Sequence, residues 1–319
     1  MLIILIVLAI VIIAAVNGPD SGSDVPVSGQ ETSGESDSDY WENEPLETGG
    51  SEETSSSEVS SSEDDGYTLK VTVLDVGQGS SAVFESGGEY VVVDTAGRDY
   101  ARIPVAYLKS AGTEAVKYMV LTHYDIDHIG AAIGIINNFS LEKVFCPEYT
   151  LDETYRTYTS LMSCLEKRNG LKTAPKPGDS YFFGNCRITF IGPLKDSYEE
   201  ENSYSLSMII SDGENSLFIG GDCTKEAENE ILEAGTDIDV DVYIVNHHGS
   251  AASSGEAFVR ALSPAYSVIS CGKDNAYGHP SGKVLKVLQE AGTQIYRTDT
   301  QGDIIFYFTD SGIRFERMN

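Results

Sequence analysis

The stretch THYDIDHIGA, residues 122–131, places two histidines and two aspartates between His123 and His128. It directly follows the apolar run Tyr118–Leu121, which has the composition of a buried strand. Carboxylates and imidazoles crowded at the end of a buried strand destabilise the folded state unless something cationic compensates them. This stretch therefore predicts a metal site at a strand end.

The same arrangement recurs later in the chain. All five histidines fall in three short motifs, namely THYDIDHIGA, VNHHGS (245–250) and YGHPS (277–281). VNHHGS, which contains His247 and His248, follows an apolar strand, and so does Asp222 in LFIGGD (217–222). Loops at the ends of rigid strands are where functional side chains are positioned. Because imidazole and carboxylate ligands suit Zn²⁺, Mn²⁺ or Fe²⁺, a shared metal centre explains this clustering better than separate packing roles.

Strands interleave with helices over residues 67–319, which predicts a mixed α/β domain. Two sheets with helices outside fit the pattern, and so does a single mixed sheet. The predicted strands are 68–74, 81–84, 90–93, 118–121, 143–146, 180–183, 186–191, 205–210, 216–219, 240–245, 266–270, 294–297 and 303–308. The predicted helices are 104–111, 129–137, 150–169, 226–233, 256–262 and 282–291.

The region before this domain has two parts. Residues 1–17 are an apolar segment that predicts a membrane anchor or a signal segment; a missing basic start favours an uncleaved anchor. Residues 18–66 are rich in Ser, Gly, Glu and Asp and predict a disordered acidic linker. The domain at 67–319 is therefore expected outside the cytoplasm, anchored to the membrane or secreted.

Cysteine spacing argues against a thiolate metal site. None of the five cysteines forms a CxxC pair, so zinc bound by thiolates is not indicated. Isolated buried thiols are expected, although one bridge would be compatible with an oxidising compartment.

The order of the motifs resembles the metallo-β-lactamase superfamily. More closely, it resembles the metallo-hydrolase domain of ComEC-type DNA-uptake competence proteins. The resemblance covers essentially all of residues 67–319, and it implies a four-layer αββα sandwich with a metal site at one edge of the paired sheets. The motifs that carry it are VLDVGQGSS (73–81), VVVDTAG (91–97), LTHYDIDHIGA (121–131), ENSYS (201–205), LFIGGD (217–222), VNHHGS (245–250) and YGHPS (277–281).

The resemblance also implies roles for single residues. His123, Asp127 and His128 match three positions of the superfamily's H-x-H-x-D-H motif, and Asp222 matches the carboxylate that bridges two metals. Asp94 matches a carboxylate that orients a ligand histidine.

The late histidine ligand of the superfamily corresponds to His247 or His248. His247 is favoured because it is nearer the strand end, and His248 then joins the catalytic candidates. The choice between the two histidines stays open.

Two positions depart from the superfamily pattern. Asp125 stands where the second histidine is expected. Asn202 lies near the place of a missing mid-chain histidine, in the N-x-x-S form of the ComEC-like branch. Both changes replace nitrogen by oxygen, which favours harder ions such as Mn²⁺ or a loosely held Zn²⁺. We expect one or two divalent ions, with His123 and Asp125 at the weaker position.

These features predict a metal-dependent hydrolase, most simply a phosphodiesterase or nuclease that uses a metal-activated hydroxide and is linked to DNA uptake. Asp127 is the expected acceptor of the water proton. His279 is expected to contact a phosphate oxygen or to protonate the leaving group, unless it only packs in its loop.

The charge of the domain favours an alternative substrate. Of the formal net charge of −29, −15 falls on residues 20–65, which leaves −14 for residues 67–319. DNA binding draws its affinity from Lys and Arg, and the cluster of Lys273, Lys283 and Lys286 is the main basic feature near the predicted site. A small phosphodiester or a phosphocholine-type ester is therefore an alternative substrate. A catalytically decayed surface binding domain is a second alternative.

The partners that follow are a phosphodiester, DNA being one option, and the membrane through residues 1–17. A DNA channel would have to come from a partner membrane protein, since the sequence has no second long apolar run. The oligomeric state is open.

Overall fold

The computed structural model describes residues 66–317, so the predicted anchor and nearly all of the predicted linker lie outside the described residues. Within this range the strands form two mixed sheets. In spatial order, the first sheet contains β15 (Gly312–Arg317), β14 (Ile304–Thr309), β1 (Leu69–Val73), β2 (Ala82–Ser86), β3 (Glu89–Val93), β4 (Ala115–Val120), β5 (Ser140–Phe145) and β6 (Lys172–Thr173). The second sheet contains β13 (Gln294–Arg297), β12 (Tyr266–Ile269), β11 (Val242–Ile244), β10 (Ser216–Ile219), β9 (Ser207–Ser211), β8 (Cys186–Gly192) and β7 (Ser180–Phe183).

Helices lie on the outer faces of both sheets. They are α1 (Arg102–Ser110), α2 (Ile126–Ile129), α3 (Ala132–Asn138), α4 (Arg156–Lys167), α5 (Lys225–Glu233), α6 (Glu256–Leu262), α7 (Gly282–Ala291) and α8 (Thr298–Gln301). Helices α1, α3 and α4 pack on the first sheet, and α5, α6 and α7 pack on the second. Between residues 66 and 317 we find no helix whose length and apolar character would let it span a bilayer.

The central strands of both sheets are buried on two faces, which explains their apolar runs. Along β3, Val91 and Val93 belong to the core between the sheets, whereas Tyr90 and Val92 belong to the core under the helices. Successive side chains of a strand point to opposite faces, so one short segment fills both cores. The predicted two-sheet α/β sandwich is thereby confirmed, and the single mixed sheet is excluded for this region.

Some predicted bounds differ from the structure. The helix predicted at 129–137 is split into α2 and α3, because the N–H groups of Gly130 and Ala131 donate to the carbonyls of Ala96 and Thr95. The helix predicted at 150–169 is shorter and spans Arg156–Lys167. Strand β15 was not predicted, since an exposed edge strand carries a weak apolar pattern.

The topology brings strand ends from both sheets to one edge of the sandwich. Strands β3 and β4 are parallel neighbours in the first sheet, and β10, β11 and β12 are parallel neighbours in the second. The carboxyl ends of parallel strands share one edge of their sheet, where α/β proteins place ligand sites. The loops after these five strands carry most of the residues that the sequence singles out.

Candidate metal centre

The first half of the site lies at the ends of β3 and β4. Asp94 follows β3 directly, and its carboxylate accepts hydrogen bonds from the backbone N–H and the hydroxyl of Thr122, at 2.9 and 3.0 Å. His123 comes next to Thr122, and α2 then carries Asp127 and His128. The ends of two neighbouring strands and one short helix thus position four site residues: Asp94, His123, Asp127 and His128.

The second half of the site lies at the ends of β10 and β11. Asp222 follows β10, and His247 and His248 follow β11 with φ values of 52° and 53°. This left-handed conformation costs a non-glycine residue about 1–3 kcal/mol, so surrounding contacts must hold it. Gly221 also has a positive φ, and a Cβ there would clash with the hydroxyl of Thr122. Glycine at this position therefore lets the Asp222 loop approach the first half of the site.

The carboxylate of Asp222 lies between four imidazoles. Its Oδ1 is 3.2 Å from His128 Nε2 and 3.7 Å from His248 Nε2. Its Oδ2 is 3.4 Å from His247 Nε2 and 3.9 Å from His123 Nε2. Each oxygen of this buried carboxylate therefore faces one pair of histidines, which is the position a bridging ligand requires.

The rings of His128 and His248 are fixed by hydrogen bonds, and we call them the braced pair. His128 Nδ1 donates to Asp94 Oδ2 at 2.8 Å, and His248 Nδ1 donates to the backbone carbonyl of Ser270 at 2.9 Å. Since both Nδ1 atoms are donors, both Nε2 atoms carry lone pairs when the rings are neutral. These Nε2 atoms face one another at 3.2 Å. Two lone pairs at this distance repel unless a cation lies beside them.

His123 and His247 are held less firmly, and we call them the unbraced pair. His123 Nδ1 is 3.1 Å from the Thr122 hydroxyl, which already faces Asp94. Among residues 66–317, the buried His123 Nε2 has no hydrogen-bond partner, and neither has the buried His247 Nδ1. In this part of the chain no carboxylate or backbone carbonyl orients either ring as Asp94 and Ser270 orient the braced pair.

The donor set fits a divalent metal ion. In the described part of the chain, two sets of three side chains place one ligand atom each within 4.8 Å of one another: His123, His128 and Asp222, and Asp127, His128 and His248. The orphaned His123 Nε2 and the facing lone pairs of the braced pair both need a cation. Nitrogen and carboxylate oxygen are suitable ligands for Zn²⁺, Mn²⁺ or Fe²⁺.

The charges of the site favour positive charge at its centre. Burial alone lowers the pKa of His128, but nearby carboxylates, Asp222 foremost, outweigh it and hold that pKa well above its usual range. The same balance raises the pKa of His248. Burial opposes the ionisation of Asp127, yet His128 and His248 lower its pKa to about 2. A proton or a metal ion can supply the positive charge that these shifts indicate.

Two aspartates of the opening motif form the mouth of the site. The side chains of Asp125 and Asp127 are 32% and 31% exposed, whereas that of His123 is fully buried. Asp125 Oδ2 is 3.6 Å from His123 Nε2, and Asp127 Oδ2 is 3.4 Å from His248 Nε2. Asp125 therefore faces the unbraced pair, and Asp127 faces the braced pair.

The remaining predicted residues lie at different distances from this centre. The ring centroid of His279 is 5.8 Å from that of His247 and 6.5 Å from that of His248, so His279 lies at the mouth. Asn202 is half-buried in a 3₁₀ turn, Glu201–Tyr204, and its carbonyl accepts the N–H of Ser205. Lys273 is exposed and forms no ion pair with any residue from 66 to 317. The structure thus brings His279 to the mouth of the site.

Glu228 is a site residue that the sequence reasoning missed. It is buried on α5, and its carboxylate accepts hydrogen bonds from Asn246 Nδ2 at 2.9 Å and from the N–H groups of Ser254 and Gly255 at 2.6 and 2.8 Å. Asn246 adjoins His247, so Glu228 holds the loop of the second half from beneath. An acidic residue on the apolar face of a helix, beside the buried Ile231, is the signal that could have revealed it.

The structural role of the loop Gly77–Ser80 was not predicted either. The N–H of Ser80 donates to the carbonyl of Asp127 at 3.1 Å, and the carbonyl of Gly79 accepts the hydroxyl of Ser270 at 2.8 Å. This loop therefore connects the two halves of the site. The residue types do not reveal this role, because one contact is entirely between backbone groups and the other has a backbone carbonyl as its acceptor.

Comparison with known proteins agrees with this geometry. The family model described as the metallo-β-lactamase superfamily matches residues 74–273. The chain is 29% identical over 257 residues to ComE operon protein 3 of Bacillus subtilis (strain 168), which covers 75% of this chain and 33% of that protein. It is 29% identical over 252 residues to competence protein ComA of Neisseria gonorrhoeae, which covers 78% and 33%. The chain thus spans about a third of the length of these curated relatives.

Solved structures share the fold at low sequence identity. Igni18, a metallo hydrolase of Ignicoccus hospitalis, superposes with a TM-score of 0.51 at 15% identity, over 75% of this chain and 100% of that one. CmlA, a diiron β-hydroxylase of Streptomyces venezuelae, gives a TM-score of 0.50 at 14% identity, over 78% and 54%. The family match over residues 74–273 and these shared folds lead to one conclusion. The chain belongs to the metallo-β-lactamase superfamily, and within it resembles the ComEC-type competence proteins.

Proposed function

We propose that the chain is a metal-dependent phosphodiesterase. The observation that carries this proposal is the braced pair, whose Nε2 lone pairs face one another at 3.2 Å beside Oδ1 of Asp222. Proteins of this superfamily are generally hydrolases, and their fold binds one or two metal ions. A preorganised set of nitrogen and oxygen donors at the edge of such a fold is best explained as a working metal site.

The residues divide between two ion positions. Asp127 and the braced pair would hold one divalent ion, with Oδ1 of Asp222 beside them. Asp125 and the unbraced pair would hold a second, with Oδ2 of Asp222 beside them. When bound, such ions act as Lewis acids and lower the pKa of water from 15.7 to roughly 7.

The chain's own groups complete the reaction. Asp127 is ionised at neutral pH, since its pKa is about 2, and when it is not bound to the ion its partly exposed carboxylate can accept a proton at the mouth. His279, beside the rings of His247 and His248, can donate a hydrogen bond to a phosphate oxygen or a proton to the departing oxygen. Asp94 keeps His128 in one tautomer throughout, because it accepts the Nδ1–H.

The substrate we propose is a phosphodiester, with DNA and a link to DNA uptake supported by the two relatives named for competence. A second candidate, a small phosphodiester or phosphocholine-type ester, is favoured by the acidic surface. Residues 67–319 carry a net charge of −14, and Lys273 offers the site no ion pair. Long nucleic acids bind mainly through cationic side chains, so a short substrate fits this charge better.

We propose further that the domain acts outside the cytoplasm, held at the membrane by residues 1–17 or secreted, with a membrane channel as its partner. The support is the apolar sequence of residues 1–17 and the acidic segment after it. Fractionation of cells expressing the full chain, followed by protease treatment of intact cells, tests this. Loss of the domain to external protease is expected, and full protection would contradict the proposal.

Metal content is the first test of the enzyme proposal. The full chain, Asp222→Ala and His128→Ala are loaded with Zn²⁺ or Mn²⁺, and bound metal is measured by plasma mass spectrometry. We expect up to two ions per chain in the parent and near-complete loss in both variants. Asp310→Ala, which removes an exposed carboxylate at a turn, is the matched control and should retain the parent value.

Hydrolysis of bis-p-nitrophenyl phosphate is then measured with Zn²⁺, Mn²⁺, Co²⁺ and Mg²⁺. Turnover that disappears in Asp222→Ala and persists in Asp310→Ala is the expected result. A single bound ion together with turnover would contradict the two-ion arrangement but not the hydrolase proposal. Stable metal binding without turnover of this or any small diester would favour the decayed binding domain, and no bound metal would refute the hydrolase.

A further inference from the structure

A stack of rings leads outward from the braced pair. The rings of His248 and His279 are nearly parallel, with an interplanar angle of 22° and centroids 6.5 Å apart. The rings of His279 and Tyr277 are also nearly parallel, at 25° and 5.7 Å. Tyr277 is 50% exposed. The series of nearly parallel rings therefore ends in a phenol ring that is half exposed to solvent.

Tyr277 lies at the mouth of the site. Burial, together with the carboxylates of Asp127 and Asp125, raises the pKa of its phenol. The ring centroid of Tyr277 is 5.7 Å from that of His279, which is itself 5.8 Å from that of His247, so a group stacked on Tyr277 would remain near the ion ligands.

The loop that carries this stack is held in place. The side chain of Asn275 accepts the N–H of His279 at 3.0 Å and donates to the carbonyls of Gly272 and His279 at 2.8 and 2.6 Å. The N–H of Ser281 donates to the carbonyl of Gly249, in the loop of the late histidines, at 2.9 Å. A ring fixed before a ligand arrives loses little conformational entropy on binding.

We propose that Tyr277 is a stacking platform for the nucleobase of a nucleotidyl phosphodiester whose phosphate lies at the metal centre. This inference rests on the proposed function and names its substrate class. Base stacking on an aromatic side chain needs no cationic surface and tolerates all bases. It therefore reconciles a nucleotide substrate with the acidic domain.

The shape of the platform favours a planar group over a quaternary ammonium. Recognition of choline-type groups uses several ring faces that converge on the cation. Tyr277 is a single half-exposed ring, nearly parallel to the rings of His279 and His248. A nucleobase extends that stack in the same geometry.

The test compares two esters with the same leaving group. The full chain is assayed for hydrolysis of the p-nitrophenyl ester of thymidine 5′-phosphate and of methyl p-nitrophenyl phosphate. The ratio of the two kcat/KM values is measured. In Tyr277→Ala we expect this ratio to fall about tenfold, the effect of losing one stacked base. Tyr277→Phe should keep the ratio, since the ring remains. Phe182→Ala, which removes an exposed ring on the edge strand β7, should also keep it.

If the ratio is unchanged in Tyr277→Ala, whether both rates fall equally or neither falls, the platform is refuted and the proposed hydrolase activity is not. Binding gives a readout that does not depend on turnover. Thymidine 5′-phosphate should bind the parent about tenfold more tightly than methyl phosphate by calorimetry, and Tyr277→Ala should abolish the difference. If neither ester is hydrolysed but this difference in binding is found, the proposed activity fails and the platform survives. If binding shows no difference, the platform fails.

Discussion

The two histidine pairs of this site share one carboxylate but differ in how their rings are held. In the braced pair, a carboxylate and a backbone carbonyl fix both Nδ1 atoms, so both Nε2 atoms point at one place. In the unbraced pair, His247 Nδ1 has no hydrogen-bond partner and His123 Nδ1 meets only a hydroxyl. Partners of this kind raise metal affinity by roughly 10–100-fold. The first ion should therefore bind tightly at the braced pair, and the second should bind weakly at the unbraced pair.

Sequence departures fall on the weaker side. Asp125, which replaces an expected histidine, faces the unbraced pair and is partly exposed. The turn Glu201–Tyr204, which contains Asn202, lies on the same side: the ring of Tyr204 stacks on that of Tyr149 at 4.7 Å, and the hydroxyl of Tyr149 accepts the N–H of Tyr124, the residue after His123. The replaced nitrogen ligands and the histidine rings without an orienting carboxylate or carbonyl therefore lie in the same half of the centre, that of the unbraced pair.

Replacing each of two neighbouring histidines tests most directly whether the braced pair binds the tighter ion. His248→Ala removes a braced ligand and should weaken binding of the tighter ion by roughly 100-fold or more, above the range for ring-orienting partners. His247→Ala, one residue away and with the same change in size, should weaken it only about threefold or less. Competition with a chromogenic chelator measures both constants. The reverse order would identify His247 as the late ligand, as its position nearer the strand end predicts.

The brace itself can be removed while its shape is kept. Asp94→Asn should lower the affinity for the tighter ion by about 10–100-fold, because the amide no longer fixes the His128 tautomer as a carboxylate does. Circular dichroism checks that the fold is retained. An unchanged affinity would show that the orientation of His128 does not depend on Asp94.

Acid should release the tighter ion early. The pKa values of His128 and His248 are raised, above all because Asp222 outweighs the effect of burial. Metal binding needs both Nε2 lone pairs, so protons compete as soon as the pH falls below these raised values. Affinity should therefore be full at high pH and fall by roughly tenfold per unit, for each proton displaced, already above the ordinary histidine pKa of about 6.5.

Chelator competition between about pH 8 and pH 6 measures this slope. His247→Ala should show the parent's slope, since burial lowers the pKa of His247 and makes its ring a weaker site for protons than the rings of the braced pair. A flat profile in the parent would contradict proton competition at the braced pair.

The support beneath the second half should have the smallest effect. Glu228→Gln turns one acceptor oxygen of a buried carboxylate into a donor that faces a backbone N–H. The unpaired donor should lower the free energy of unfolding by about 1–2 kcal/mol, measured by urea titration. Glu226→Gln on the same helix removes an exposed carboxylate and should change it by less than about 1 kcal/mol. Equal effects of the two substitutions would show that Glu228 does not support the loop.

Much of the fold was predictable because the strands carry an unusually clear pattern. Runs such as Tyr90–Val93 and Ser216–Ile219 are buried on both faces, so their apolar character is continuous. The edge strand Gly312–Arg317 escaped prediction, since few of its side chains need to be apolar. The break between α2 and α3 also escaped, because it depends on hydrogen bonds to the loop at Thr95 and Ala96.

The sequence alone predicted which side chains gather at the candidate metal centre. Histidines and aspartates at strand ends are costly without a cation, so their clustering identified the centre and its superfamily. The division of the histidines into a braced and an unbraced pair depends on the tertiary structure. The orientation of each ring depends on groups far away in the chain, such as the carbonyl of Ser270 and the carboxylate of Asp94. A backbone carbonyl is present at every residue and leaves no mark in the sequence, so which histidine it fixes follows from the packing of the two sheets.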